Sequence, residues 1–294
     1  MLIGLLVAAA LVALMERVPR LRLRPLLFFR RFFITDVFYL LTGFSAGGPI
    51  AVAYVNRGSQ FFGDVLAVPR LAAFHLPLWL AVGMALLALD AGNYAAHYCL
   101  HRFNTLWEFH KIHHSSRELD WLATFRSHIG EQLLRRLLAP VLLILLGFPL
   151  NAIVIAGGIF IAWGIFNHAN LRLNLRFLET VFITPRLHRI HHLNHAPTNN
   201  LGTFFTLWDK LRGTLDRSET FAERELGNGV RDYPQSWLRQ FSEPIRRTVS
   251  NHRSSDRMAS AHRRIPMPYT YFAISRITSG LTRHESSAAR ECSR

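Results

Sequence analysis

Eight histidines of this chain fall into three spaced clusters. His97 and His101 form an H-x-x-x-H pair, His110, His113 and His114 form H-x-x-H-H, and the same spacing returns at His188, His191 and His192. Residues three and four apart on a helix share a face, so each cluster directs its imidazoles the same way. Neutral imidazole is a strong ligand for borderline metals such as iron and zinc. Three clusters on separate segments could fill two coordination spheres. His168, in Asn167-His168-Ala169-Asn170, follows an apolar run and joins the candidate ligands. His128, in Phe125-Arg126-Ser127-His128, is a further candidate. Asp90 lies seven residues before His97 on its helical face. A carboxylate there is expected to accept the second ring N–H of a ligating histidine. His75, His195, His252, His262 and His284 stand outside the pattern and read as bystanders.

The chemistry narrows by comparison. Zinc hydrolases keep an open position and a general base, and the chain has no H-E-x-x-H. Structural zinc needs four ligands, often thiolates, and the two cysteines, Cys99 and Cys292, are far apart in sequence. Iron with open positions can activate O₂. Beside a bilayer, such a site can receive a lipid C–H bond.

The elements that must position these residues are apolar and helical. Half of the 294 residues are hydrophobic, and they come in blocks. Leu2 to Met15, Phe32 to Val55, Leu71 to Leu89, Leu133 to Phe148 and Ile153 to Phe166 read as four or five membrane passes. Asp36, Gly43, Gly47, Gly48 and Pro49 are expected to bend or break the second block, and Asn56 to Arg70 reads as a loop. The net charge of +15 suggests an anionic partner. The basic residues flank apolar blocks, and no nucleic-acid-binding signature is present, so that partner is membrane and not nucleic acid. Arginine concentrates at residues 17–31, 101–136 and after 172, which puts those regions, with all three histidine clusters, on the cytoplasmic side. The preference for Arg over Lys points to a GC-rich genome, hence to a bacterial inner membrane. Pro234, Pro244, Pro266 and Pro268 argue against long helices beyond Arg217, which reads as a basic, poorly ordered tail.

The motifs resemble a known family. Asp90 through His101, Leu106 through Ser116, Phe125 through His128, Asn167 through Asn170, Thr184 through His192, and Trp208-Asp209 with Gly213-Thr214 are similar to the successive boxes of the fatty acid hydroxylase superfamily, also called the sterol desaturase family. Three positions depart from the family pattern: Arg212 replaces a Phe, Leu201 stands where an aromatic is common, and Ile129 replaces a Pro. The resemblance covers residues 84–216 and implies a catalytic domain there; with the apolar blocks the chain reads as an all-α integral membrane protein with anchor helices over residues 1–83, and the basic tail over 217–294 lies outside the family pattern. The resemblance also implies a di-iron oxygenase that uses O₂ to hydroxylate or desaturate a membrane lipid, with zinc able to replace iron on purification. Its electrons would come from a separate ferredoxin- or cytochrome-like donor. A non-catalytic zinc-holding scaffold and a lipid-binding protein are the alternatives.

Overall fold

A computed structural model describes residues 2–25, 29–30, 32–66, 71–193, 198–218, 230, 233–234 and 236–263; of 2, 44–52, 66, 73 and 251–263 it describes the backbone alone. The chain divides into two compact units, residues 1–251 and 252–294. All regular structure among the described residues is helical, apart from two isolated bridges, Arg22 with Leu171 and Phe182 with Phe205.

Helices α1 (Leu2–Met15), α2 (Phe33–Leu66), α3 (Leu78–Arg102) and α7 (Leu150–His168) hold most of the apolar sequence. Of the described helices, α3 and α7 are long and apolar enough to cross a membrane. Two other blocks differ from expectation. Helix α2 runs unbroken through Gly43, Gly47, Gly48 and Pro49 and takes in residues 56–66, which read as a loop. The run from Leu133 splits into α5 (Ile129–Leu138) and α6 (Val141–Leu146), because Pro140 has no N–H to continue the helix. Gly147, at φ 61°, supplies the left-handed residue that ends α6.

Between α3 and α4 (Asn104–His114) a single extended residue, Phe103, caps both helices and folds one back towards the other. Helix α8 (Pro185–His191) starts at Thr184, whose Oγ1 accepts from the Leu187 amide, with Pro at its first position. Helices α9 (Leu207–Arg212) and α10 (Trp237–Arg263) complete the order. Helix α10 carries Pro244 internally, so the prolines of this region do not exclude a 27-residue helix.

The core lies between α3, α6 and α7, where Ala85, Leu86, Leu143 and Ala156 pack with Phe148 and Phe204. Gly92 makes the close fit possible: a Cβ there would come 2.2 Å from the carbonyl oxygen of Ala139. Glu16 joins α1 to the rest. Its buried Oε1 accepts from the amides of Trp121 (3.0 Å) and Asn170 (2.8 Å), two residues past His168. Burial pushes this carboxyl up from 4.5 to about 7. The unfolded chain ionises it near 4.5, so stability falls as pH rises from there towards 7 and is level above. Glu16→Gln keeps the acceptor oxygen and removes the charge. Its thermal midpoint in detergent is expected to rise relative to the parent between pH 5 and 8, by an amount worth roughly 1–3 kcal/mol. Glu16→Ala loses both bonds and is expected to destabilise at every pH; equal pH profiles for Gln and parent would refute this role.

Candidate metal centre

Nine of the ten candidate histidines converge, and they do so as two groups. His97, His101, His110, His114 and His191 form one; His113, His168, His188 and His192 form the other; within each, the ligand atoms lie within 4.8 Å of one another. The H-x-x-H-H spacing divides each motif between the groups. On α4, His110 and His114 are one turn apart and enter the first group, while His113 points into the second. Helix α8 does the reverse: His188 and the adjoining His192 enter the second group and His191 the first. His97 and His101 come from the last turns of α3, and His168 from the end of α7. The groups touch where His114 and His192 stack, with ring centroids 4.5 Å apart.

Hydrogen bonds fix the tautomers. Nδ1 of His97 donates to the Leu201 carbonyl (2.7 Å), His113 to Arg126 (3.1 Å), His168 to Gly164 (2.9 Å) and His191 to Asn199 (2.9 Å). A neutral ring that donates from Nδ1 presents a lone pair at Nε2. Yet Nε2 of His113 and Nε2 of His168 face each other at 3.1 Å with no proton between them. The first group repeats the situation. Oε1 of Glu131 lies 2.8 Å from His110 Nδ1, and His110 Nε2 faces His97 Nε2 at 3.1 Å. His114 Nε2 and His191 Nε2 are buried with no hydrogen-bond partner among the described residues. Converging lone pairs repel unless a cation sits among them. Metal–imidazole bonds of about 2.0–2.1 Å set neighbouring ligand nitrogens ~3.0–3.4 Å apart, the spacing seen here. Burial holds His110, His113, His114, His188 and His192 well below the ordinary 6.5, and His191 down at about 3, so these rings are neutral ligands near pH 7. The donor set therefore fits two metal ions. His101 is the one ring of the nine that is only half-buried, with Trp107 beside it at 4.9 Å between centroids.

Two expectations change. His128 joins neither group: its Nδ1 accepts from the Gly130 amide as the N-cap of α5, and its Nε2 donates to the Phe241 carbonyl. Both ring nitrogens are thus engaged with backbone. Asp90 accepts from no histidine among the described residues. It takes the amides of Phe204 and Phe205 and Trp208 Nε1, all at 2.8–3.0 Å, and so anchors the segment before α9 to α3. The support foreseen for Asp90 is supplied by backbone carbonyls and by Glu131. Of the bystanders, His75 is exposed; His195 and His284 lie outside the described residues, as do the side chains of His252 and His262.

Several supporting residues were not foreseen. Glu131 also accepts from Arg135 Nε (2.9 Å), and Arg135 Nη1 donates to Asn93 (2.8 Å). Asp209 takes the amides of Leu201 (3.0 Å) and Gly202 (2.8 Å), which sets the carbonyl that His97 needs. Gly202 has no room for a side chain: a Cβ would lie 2.7 Å from the Phe205 carbonyl oxygen. Leu201 thus serves through its backbone, which explains why an aliphatic residue suffices there. Arg212 lies over the Tyr98 ring, 3.9 Å from its centroid, as a cation–π pair. Beneath the second group lies a buried ion-pair chain. Arg126 pairs with Asp36, Asp36 with Arg30, and Arg30 with Asp120 (2.7 Å), which caps the short helix Trp121–Phe125. The sequence signal for Asp36 was a charge inside an apolar block, a costly placement that calls for a partner.

The family model for fatty acid hydroxylase matches residues 82–214. The chain is 31% identical over 210 residues to an ornithine lipid hydroxylase from Rhizobium tropici, across 68% of this chain and 63% of that protein. It is 29% identical over 134 residues to an alkylglycerol monooxygenase from Danio rerio, across 45% of this chain and 30% of the relative. It is 27% identical over 178 residues to a very-long-chain aldehyde decarbonylase from Oryza sativa subsp. indica, across 55% of this chain and 28% of the relative. The chain thus spans less than two thirds of the length of each of these relatives. No solved structure matches it. The residues that match the fatty acid hydroxylase family model carry all nine converging histidines.

Proposed function

We propose that the chain is a membrane-embedded di-iron oxygenase that hydroxylates or desaturates a lipid. The observation that carries this is the pair of buried all-histidine groups with lone pairs converging at 3.1 Å. Iron, when bound by such groups with positions left open, supplies activation of O₂ for attack on a C–H bond. Hydroxylation places one oxygen atom of O₂ in the lipid and reduces the other to water, with two electrons and two protons from a separate ferredoxin- or cytochrome-like donor. The protein's part is to hold nine imidazoles together, four of them in tautomers fixed by backbone carbonyls, to bury eight of them from bulk water, and to leave the His101–Trp107 side the more open.

Both long apolar helices deliver histidines from their C-terminal turns, so both end on one face. With the arginine distribution, this supports a cytoplasmic site on a multi-pass protein of a bacterial inner membrane. In this reading residues 1–83 are anchor helices and 84–216 the catalytic domain, and α5 with α6 returns the chain between α3 and α7. Similarity to an ornithine lipid hydroxylase makes ornithine lipids the first substrate class to examine.

The test is lipid mass spectrometry of cells with the intact chain, with His101→Ala, and with neither. A lipid gaining one oxygen or losing two hydrogens in the first alone is the expected result. Purified protein that holds zinc alone, takes up no iron and leaves the lipids unchanged would mark a scaffold instead.

A further inference from the structure

Helix α10 has an apolar face that no described part of the protein covers. Leu238, Phe241, Ile245 and Val249 are between 45% and 63% exposed. Their spacing of three, four and four places them in one stripe along the helix. The opposite side rests on the protein: Gln240, Glu243 and Pro244 are buried, Gln240 Nε2 donates to Ser115 Oγ (3.3 Å), and Trp237 stacks on Phe38 at 4.1 Å. Arg239 and the exposed Arg246 border the stripe on one side. Over residues 237–250, three arginines (Arg239, Arg246, Arg247) stand against one acid, Glu243, which pairs with Arg246 and Arg247 from the protein side.

A second stripe adjoins it. On α5 the polar residues Glu131 and Arg135 turn inward, while Ile129, Leu133 and Leu137 are exposed. The two stripes meet where the ring of Phe241 lies 5.5 Å from that of His128, the cap of α5. A helix that buries polar groups and exposes apolar ones has its outer face in a nonpolar medium.

We propose that α10 lies on the anionic lipid surface of the bilayer that α3 and α7 cross, with its apolar stripe in the headgroup boundary and Arg239 and Arg246 reaching phosphates. The placement rests on the membrane reading above and goes beyond it, since α10 lies outside residues 82–214. Charge complementarity selects the occupant: the chain carries +15, and arginines rather than acids border the stripe. Arginine stems cover apolar surface while their guanidiniums stay at headgroup level. The docked helix is tied to the metal centre, because the chain just before it bonds α4: Val230 N donates to the His114 carbonyl (2.7 Å) and Tyr233 OH to that of Glu108 (3.3 Å).

The experiment uses the full chain, with Cys99 and Cys292 replaced by Ser, in nanodiscs of phosphatidylcholine alone or with phosphatidylglycerol. A nitroxide is attached after Ile245→Cys, Ser250→Cys or Leu87→Cys, and its collisions with O₂, which partitions into lipid, and with a water-soluble nickel chelate are measured. Leu87, exposed on α3, reports whether that helix is in lipid at all. The expected result is a lipid-like label at 245 and a water-like label at 250 in discs with phosphatidylglycerol. Arg239→Gln with Arg246→Gln is expected to weaken docking roughly fivefold per charge removed. A label at 245 that meets nickel as freely as that at 250, while 87 is lipid-like, overturns the inference and leaves the membrane reading standing. Low collision with both reagents at 245 means protein covers the stripe, a second copy included, and also overturns it. Equal docking in both lipids overturns the anionic assignment, and a water-like label at 87 removes the membrane reading and this inference together.

Discussion

Replacing His168 by Ala is expected to lower bound metal from about two ions per chain to about one or fewer, and to reduce product to background. His168 presents an Nε2 lone pair within 3.1 Å of two other rings, His113 and His188, so its loss opens the four-ligand group at its centre. Alanine supplies no donor, and three histidines cannot close the same sphere. His128→Ala is the control. Its nitrogens serve the Gly130 amide and the Phe241 carbonyl, so metal content is expected to stay at the parental level, with a stability cost of about 1 kcal/mol for the lost cap. Elemental analysis and lipid products from the same membranes decide the matter. Full metal in His168→Ala, or metal loss in His128→Ala, would redraw the site.

The second large effect lies 46 residues before the start of the family match. Asp36 is fully buried between two guanidiniums, those of Arg30 and Arg126. Asp36→Ala takes the carboxylate from both and is expected to cost about 3–5 kcal/mol, the usual penalty for breaking a buried pair from one side. The damage should reach the metal, because the Arg126 carbonyl accepts His113 Nδ1–H. Thermal midpoint and metal content should therefore fall together. Combining Asp36→Asn with Arg126→Gln restores neutrality on both sides and is expected to recover part of the stability. An Asp36→Ala protein as stable as its parent and fully loaded would show the ion-pair chain to be incidental.

These two sites differ in how much of them could be read from the sequence. The convergence of the histidines was legible because residues three and four apart on a helix share a face, and nine of the ten named residues converge. His128 misled because a histidine can cap a helix as well as bind metal, and composition does not separate the two uses. Asp90 was assigned to a histidine and bonds elsewhere: helical phase gives the face a carboxylate is on, not which neighbour reaches it, and its partners are 114–118 residues away. Glu131, Asp209 and Asp36 act through tertiary contacts that leave no local spacing. Among the elements, α3 and α7 were visible as apolar blocks, but both run on past those blocks to the histidines, α3 to Arg102 and α7 to His168, where polar residues end the apolar pattern. Helix α2 continued through Gly47-Gly48-Pro49, where local propensity argued for a break. Helix α10 formed across Pro244, whose missing N–H costs one bond of a helix that Gln240, Trp237 and Tyr233 hold against the protein.

The crossed allocation of the two H-x-x-H-H motifs has a consequence for loading. Helix α4, and helix α8 together with the adjoining His192, each give two rings to one group and one to the other. Neither group can be completed while either helix is loose, so both draw on the same conformational freedom. The ion that arrives first spends the entropy of ordering both helices, and the ion that follows finds its ligands already fixed. Occupancy then becomes positively cooperative, and in a metal titration half-loaded chains should be scarcer than two independent sites would give.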